Sequence, residues 1–241
     1  TGAVCGVGIL LPAAILADKF HLGKRLIAFF CFGVAFFAVM IGLAGERFAS
    51  EWEVGLKFGF IFCMLILLNC CFLPISPVID AETLLFLHKH SRRELYGTYR
   101  LWGTYGWSIS AILMGALLFA VRHDPLIFYG AALAFSLLGL FALSGIEARP
   151  GAQPIIIPWH HLKGDTLFQG FLVFNFIAGI VFNAASSYTG YFFDDVLKSP
   201  LEIGLIFGTW TIFEVPVMSN SRRLLDRWSS GRLIVAGLLL N

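Results

Sequence analysis

The sequence has few charged residues. Asp, Glu, Lys and Arg make up 13% of its 241 residues, whereas 58% are hydrophobic and 25 are Phe. Water-soluble domains carry about a quarter charged residues. This composition therefore excludes a protein whose surface is mostly in contact with water.

Several catalytic and metal-binding signatures are also missing. No Walker loop, dinucleotide fingerprint or nucleophile elbow occurs, which argues against an ATP-driven pump and indicates neither an enzyme nor a cofactor. The six His residues lack the Cys, Asp or third His that a zinc site needs. All five Cys residues lie in apolar runs, where they pack as small side chains, so neither a disulfide nor a metal is expected.

The sequence instead contains long apolar runs. Lipid offers the backbone no hydrogen-bond partners, and a helix needs about 20 mostly apolar residues to cross a core of about 30 Å. The runs do not alternate as β-barrel strands do. They cover residues 1–17, 26–44, 57–79, 101–121, 126–145, 167–191, 201–218 and 232–241. We predict an all-α membrane protein with seven spans and the start of an eighth, in which the third run can extend through Leu87.

Basic residues are distributed unevenly over the loops. With the loops numbered alternately, one side of the membrane carries thirteen Lys and Arg residues and the other carries four. Cytoplasmic loops are rich in Lys and Arg, so the first side is assigned to the cytoplasm. The expected location is a plasma or inner membrane rather than an organelle.

A loop pattern occurs twice. Residues 16–25 read LADKFHLGKR and residues 224–232 read LLDRWSSGR, with acid, base, aromatic and glycine in the same order. Both loops lie on the cytoplasmic side and are six spans apart. Parallel repeats of six helices have this period.

The repeat divides the chain. Residues 147–166, which contain three prolines, form the longest cytoplasmic connection that interrupts helix. We predict an N-terminal helical half over residues 1–146 and the start of a C-terminal half over residues 167–241. Apolar segments at both ends of the chain indicate part of a parent protein with two six-helix halves, of which this chain holds about seven to eight spans.

The repeated loops contain candidate gating residues. Asp18 and Asp226 lie near helix ends, where each can pair with Arg or Lys across the cytoplasmic seam and hold one conformational state. Gly23, Arg25 and Gly231 complete this set. The alternative is a solvated turn with interfacial basic residues.

These two loops resemble the cytoplasmic signature of the major facilitator superfamily, which follows its second and eighth helices. The resemblance covers the whole chain as helices two to nine. It implies transport by alternating access, in a fold that works as a monomer.

Ionisable residues inside the apolar runs are rare and therefore functional candidates. Glu214 lies four residues from the cytoplasmic boundary of the run 201–218, a depth of roughly 6 Å. Burial there disfavours the charged form, which suits a carboxyl that exchanges protons near neutral pH and couples them to transport. The alternative is a carboxyl that closes a helix contact beside Pro216.

Asp80, Arg100 and Trp107 form a second candidate group. Consecutive antiparallel helices would bring Asp80 and Arg100 to similar depth, where the two side chains can bind a polyol or a carboxylate. Trp107 follows Arg100 by two helical turns and lies on the same face, so its ring could stack on a sugar or aromatic ligand. The alternative is an interfacial Arg, a capping Asp and a Trp of the aromatic belt.

The segments Val78–Ala81 and Tyr96–Trp107 are similar to helices four and five of lactose permease and its oligosaccharide–proton symporter relatives. In that group the matching acid, arginine and tryptophan bind sugar, so the resemblance implies substrate-binding roles for Asp80, Arg100 and Trp107. The same segments resemble phenylpropionate permeases and nucleoside–proton symporters, which leaves the substrate class open. Glu214 is offset by about one turn from the acidic position of lactose permease on helix eight.

Secondary active transport, by proton-coupled symport of a small organic solute, is the predicted function. The expected partners are that solute, a proton and the lipid bilayer, with no nucleic acid and no metal. A passive uniporter of the same fold and a non-transporting membrane receptor remain alternatives. A membrane-embedded enzyme would need convergent catalytic residues, which this sequence does not supply.

Overall fold

The structure is a computed structural model of the chain. The residues it describes are 9, 12–13, 22–47, 53–145, 166, 169–170, 173, 176–177, 189, 192–193, 195–197, 199–211, 214–220, 223–224 and 227–228. All regular secondary structure in these residues is helical, which confirms the predicted all-α class. The elements are α1 (Gly23–Arg47), α2 (Val54–Phe72), α3 (Ile75–Lys89), a 3-10 turn (Arg93–Leu95), α4 (Tyr96–Val121), α5 (Leu126–Gly145), α6 (Pro200–Trp210) and α7 (Glu214–Ser219).

Five helical segments of this described part are long and apolar enough to cross a membrane. They are Gly23–Glu46, Val54–Lys89, Tyr96–Val121, Leu126–Ser144 and Pro200–Ser219. Each overlaps an apolar run of the sequence, as a multi-pass protein requires. The runs 1–17 and 167–191 are described only at isolated residues, and the run 232–241 and residues 147–165 of the predicted connection lie outside the described residues.

The third apolar run continues beyond Pro74, as its extension through Leu87 anticipated. Helix α2 ends at Phe72, where the Leu73 N–H donates to the Asn69 carbonyl oxygen at 3.0 Å. Pro74 has no N–H to donate, so the helix is interrupted there. Helix α3 then resumes at Ile75, and this places Asp80 one and a half turns into a new helix.

Helix α1 is the centre of a tightly packed group. It contacts α2, α3 and α5, and apolar or small residues recur on its buried face every three or four positions. The fully buried members of that face are Ile27, Cys31, Val34 and Ala38. Ile27, Cys31 and Val34 join Ile75 and Val78 of α3 and Ala142 of α5 in one apolar cluster. Ala38 joins Ala132 of α5 in a second cluster.

Helix α4 packs against α6 and α7, far along the chain. The backbones of α4 and α6 approach closely. A Cβ built at Gly115 would lie 2.9 Å from the Gly204 Cα and 2.7 Å from the Pro200 carbonyl oxygen. Small residues allow such approach between membrane helices, where dispersion contacts replace the hydrophobic driving force. This contact joins the predicted N-terminal half to the predicted C-terminal half.

Candidate functional site

The turn between α3 and α4 brings Asp80 and Arg100 together. Ser91 adopts a left-handed conformation with φ of 54°, and the chain reverses through the 3-10 turn into α4. The Arg100 Nη1 lies 3.8 Å from the Asp80 Oδ1, and the two side chains are 47% and 31% exposed. Both groups therefore stay accessible to a hydrogen-bonding ligand.

Tyr96 is a third member of this group, and sequence reasoning missed it. Its phenol interacts with the Asp80 carboxylate, and it precedes Arg100 by four residues, so both lie on one face of α4. A Cβ at Gly103 would lie 3.9 Å from the Arg100 Nη1. The missing side chain at Gly103 leaves that side of the guanidinium uncovered. The four-residue spacing between Tyr96 and Arg100 was the feature of the sequence that could have identified it.

Trp107 follows on the same face of α4, as its spacing from Arg100 predicted. Its side chain is 58% exposed, so one surface of the indole is available for stacking. Trp102 and Tyr105 form a separate edge-to-face pair with ring centroids 6.1 Å apart. Only Trp107 shares the face of the Asp80–Arg100 pair among these three aromatic residues.

Glu214 is the first described residue of α7 and contacts α4. It is exposed, whereas its depth in the apolar run predicted burial. The Thr104 hydroxyl donates to the Glu214 Oε2 at 3.3 Å, and the Met218 sulfur lies 3.9 Å from the same hydroxyl. This is the helix contact that the structural alternative for Glu214 described. Thr104, its partner, lies one turn of α4, about 6 Å along the axis, from Arg100.

Residues 212 and 213, between α6 and α7, lie outside the described residues. Pro216 is the third residue of α7 and has no N–H to donate. One turn earlier, the hydroxyls of Ser108 and Thr211 are hydrogen-bonded across the same helix contact. Thr104 and Ser108 were missed because a single Thr or Ser in an apolar run has no distinctive pattern.

Two of the predicted gating residues are described. Gly23 is buried at the first position of α1, and the space that its Cβ would fill is occupied by the Glu82 carboxyl of α3. A carboxylate is favoured at a helix amino terminus, so Glu82 explains why this position is glycine. Arg25 is exposed. Asp18, Asp226 and Gly231 lie outside the described residues.

No three His, Cys, Asp or Glu side chains cluster as metal ligands within the part of the chain that the structure describes. The candidate site is a set of hydrogen-bonding and stacking groups. In order along α4 it consists of Tyr96 and Arg100 with Asp80 beside them, then Thr104 with Glu214, and Trp107.

Comparison with known proteins gives two matches. The model of the MFS_1-like family, where MFS denotes the major facilitator superfamily, matches residues 11–241. A maltose permease from Geobacillus stearothermophilus is 26% identical over 98% of this chain and 52% of its own length. The chain therefore spans about half the length of that relative. No solved structure matches the chain significantly.

Proposed function

The chain belongs to the major facilitator superfamily, and from that premise we propose that it is part of a secondary active transporter that moves a small organic solute together with protons. The chain is a multi-pass integral membrane protein, for which a plasma or inner membrane is the proposed location. The observation that carries the proposal is that carboxyl groups of two other helices, Asp80 of α3 and Glu214 of α7, interact with α4 residues one turn apart. Asp80 and Arg100 pair at 3.8 Å, and Glu214 is bound one turn further along.

The site residues suit a solute with hydroxyl groups and a flat apolar face. A carboxylate accepts hydrogen bonds from hydroxyls, and a guanidinium donates several in a fixed geometry. Trp107 offers a ring for stacking on the same face. The relative's name, maltose permease, supports a sugar as the first candidate, and a nucleoside or an aromatic acid is the alternative.

Glu214 is the proposed proton-coupling group. It lies at the contact between α4 and α7, so its environment changes when the two predicted halves move relative to one another. The halves are residues 1–146 and 167–241, joined by the connection 147–166. The repeated cytoplasmic loops, with Asp18, Gly23 and Arg25 in the first and Asp226 and Gly231 in the second, are the proposed gating elements of alternating access.

Proton uptake tests this function. Intact cells that express the transporter and have no metabolic energy are given maltose, uridine or phenylpropionate while the external pH is recorded. Cells that express the Asp80→Asn variant are the control. Symport makes the medium more alkaline with one substrate class, and the variant lowers that signal by about tenfold because a charged hydrogen-bonding partner is lost. Substrate uptake without any pH change would contradict symport.

A passive uniporter is the second candidate, because the Thr104 contact gives Glu214 a purely structural explanation. Accumulation measurements in energised cells separate the two. A symporter concentrates the solute and loses this ability in a Glu214→Gln variant. A uniporter shows no uphill accumulation even before the substitution.

A further inference from the structure

Thr104 differs from Thr83 and Thr209, two other threonines in the membrane-spanning helices. The hydroxyls of Thr83 and Thr209 donate to the carbonyl oxygens of Ile79 and Leu205, four residues earlier, at 2.9 and 2.8 Å. A helical Thr usually forms this bond within its own helix. The Thr104 hydroxyl instead reaches Glu214, 110 residues away in the sequence.

The surroundings of Thr104 make this hydrogen bond costly to lose. The residue is only 9% exposed, and Thr211 is the other buried polar residue of the described core. Buried polar groups are nearly always hydrogen-bonded, since an unpaired one carries a desolvation penalty. The Met218 sulfur, 3.9 Å from the hydroxyl, is a weak acceptor and a poor substitute for the carboxyl.

A hydroxyl can serve Glu214 in both of its protonation states. It donates to an ionised carboxylate, and it accepts from a protonated carboxyl. Arg100 is the nearest charged side chain along α4, one turn before Thr104, and Asp80 is its partner from α3. A ligand that moves Arg100 therefore acts on the same segment of helix that holds Glu214.

We propose that Thr104 is the positioning residue that holds the Glu214 carboxyl against the substrate-binding face of α4, so that substrate binding and proton exchange are linked through one turn of this helix. The proposal rests on the proposed symport function. In this role Thr104 acts on the Glu214 carboxyl rather than on the solute or the proton. It determines where the Glu214 carboxyl lies relative to Arg100.

The test compares four variants of the intact transporter in proteoliposomes: Thr104→Val, Thr104→Ser, Thr209→Val and Glu214→Gln. The solute is whichever of maltose, uridine and phenylpropionate the wild type carries. Two quantities are measured, the number of protons taken up per solute and the ratio of uphill accumulation to downhill uptake. Val keeps the shape of Thr without its hydroxyl, and Thr209 supplies a matched hydroxyl that bonds within its own helix.

The expected result is that Thr104→Val lowers both quantities by about tenfold, the effect of one hydrogen bond to a charged group. Thr104→Ser restores them to within about twofold of wild type, because it retains the donor, and Thr209→Val matches the wild type. If Thr104→Val does not reach the membrane, Thr104→Ala is judged by the same criteria.

Three outcomes overturn the inference. If Glu214→Gln loses proton uptake but Thr104→Val keeps it, the positioning role is wrong and the proposed symport stands. If Thr104→Ser fails as Thr104→Val does, packing rather than the hydrogen bond is responsible. If the wild type moves no protons with any solute of the panel, the proposed function fails and the inference fails with it.

Discussion

The two main helix contacts of this protein are built from different chemistry. Half of the α1 span is buried, against 17% or less of each of the other candidate spans in the described part, and its buried face is apolar. The contact of α4 with α6 and α7 combines close glycine approach with hydroxyl and carboxyl hydrogen bonds. The first contact is suited to a permanent core. The second contains polar bonds that can exchange partners when helices move.

Position in the proposed transporter explains this difference. Helices α1, α2, α3 and α5 belong to one predicted half and have no need to separate. Helix α4 contacts α6 and α7 across the two predicted halves, which alternating access must move apart. In the proposed transporter, Glu214 therefore lies at the contact whose surroundings would change during each cycle.

The largest expected effect comes from removing volume from the α1 core. Ile27 is 1% exposed, whereas Ile127 of α5 is 45% exposed. We expect Ile27→Ala to lower the free energy of unfolding by about 2–5 kcal/mol, since it leaves a cavity in a packed core. Ile127→Ala should cost less than about 1 kcal/mol. Thermal unfolding in detergent measures both, and equal shifts in Tm would contradict the central role of α1.

Adding volume to the α4–α6 contact is the next test. The Cβ of a Gly115→Ala variant would meet backbone atoms at 2.7 and 2.9 Å, which cannot rotate away. We expect a cost of about 1–3 kcal/mol to this contact, seen as a reduced initial rate of solute uptake. Gly106→Ala is the matched control, because nothing lies within 4 Å of its Cβ position. If both variants transport equally well, the close approach has no functional role.

The smallest expected effect is at Gly23. A Gly23→Ala methyl would overlap the Glu82 carboxyl, but this carboxyl is the far end of a flexible side chain and can move. We expect a loss of about 1 kcal/mol in stability. A double-mutant cycle with Glu82→Ala should show that the cost of Gly23→Ala largely disappears when the carboxyl is removed. Additive effects would mean that Glu82 does not determine the glycine at this position.

Part of the site could be predicted because it depends on neighbours in the sequence. Asp80 and Arg100 meet through a short connection between antiparallel helices, and Trp107 shares a face with Arg100 by helical period alone. Tyr96 obeys the same period but was overlooked, because tyrosine near a helix end also suits the membrane interface. The roles assigned to these residues remain predictions.

The sequence by itself determined the all-helical class, the apolar spans of the described part and the family, since length, hydropathy and local motifs are properties of the chain. Only the tertiary structure decided that Thr104 binds Glu214, that Glu82 occupies the space above Gly23 and that Gly115 meets Gly204. These pairs are far apart in the sequence. A helix offers several faces, and which face meets which neighbour depends on packing that no single segment specifies.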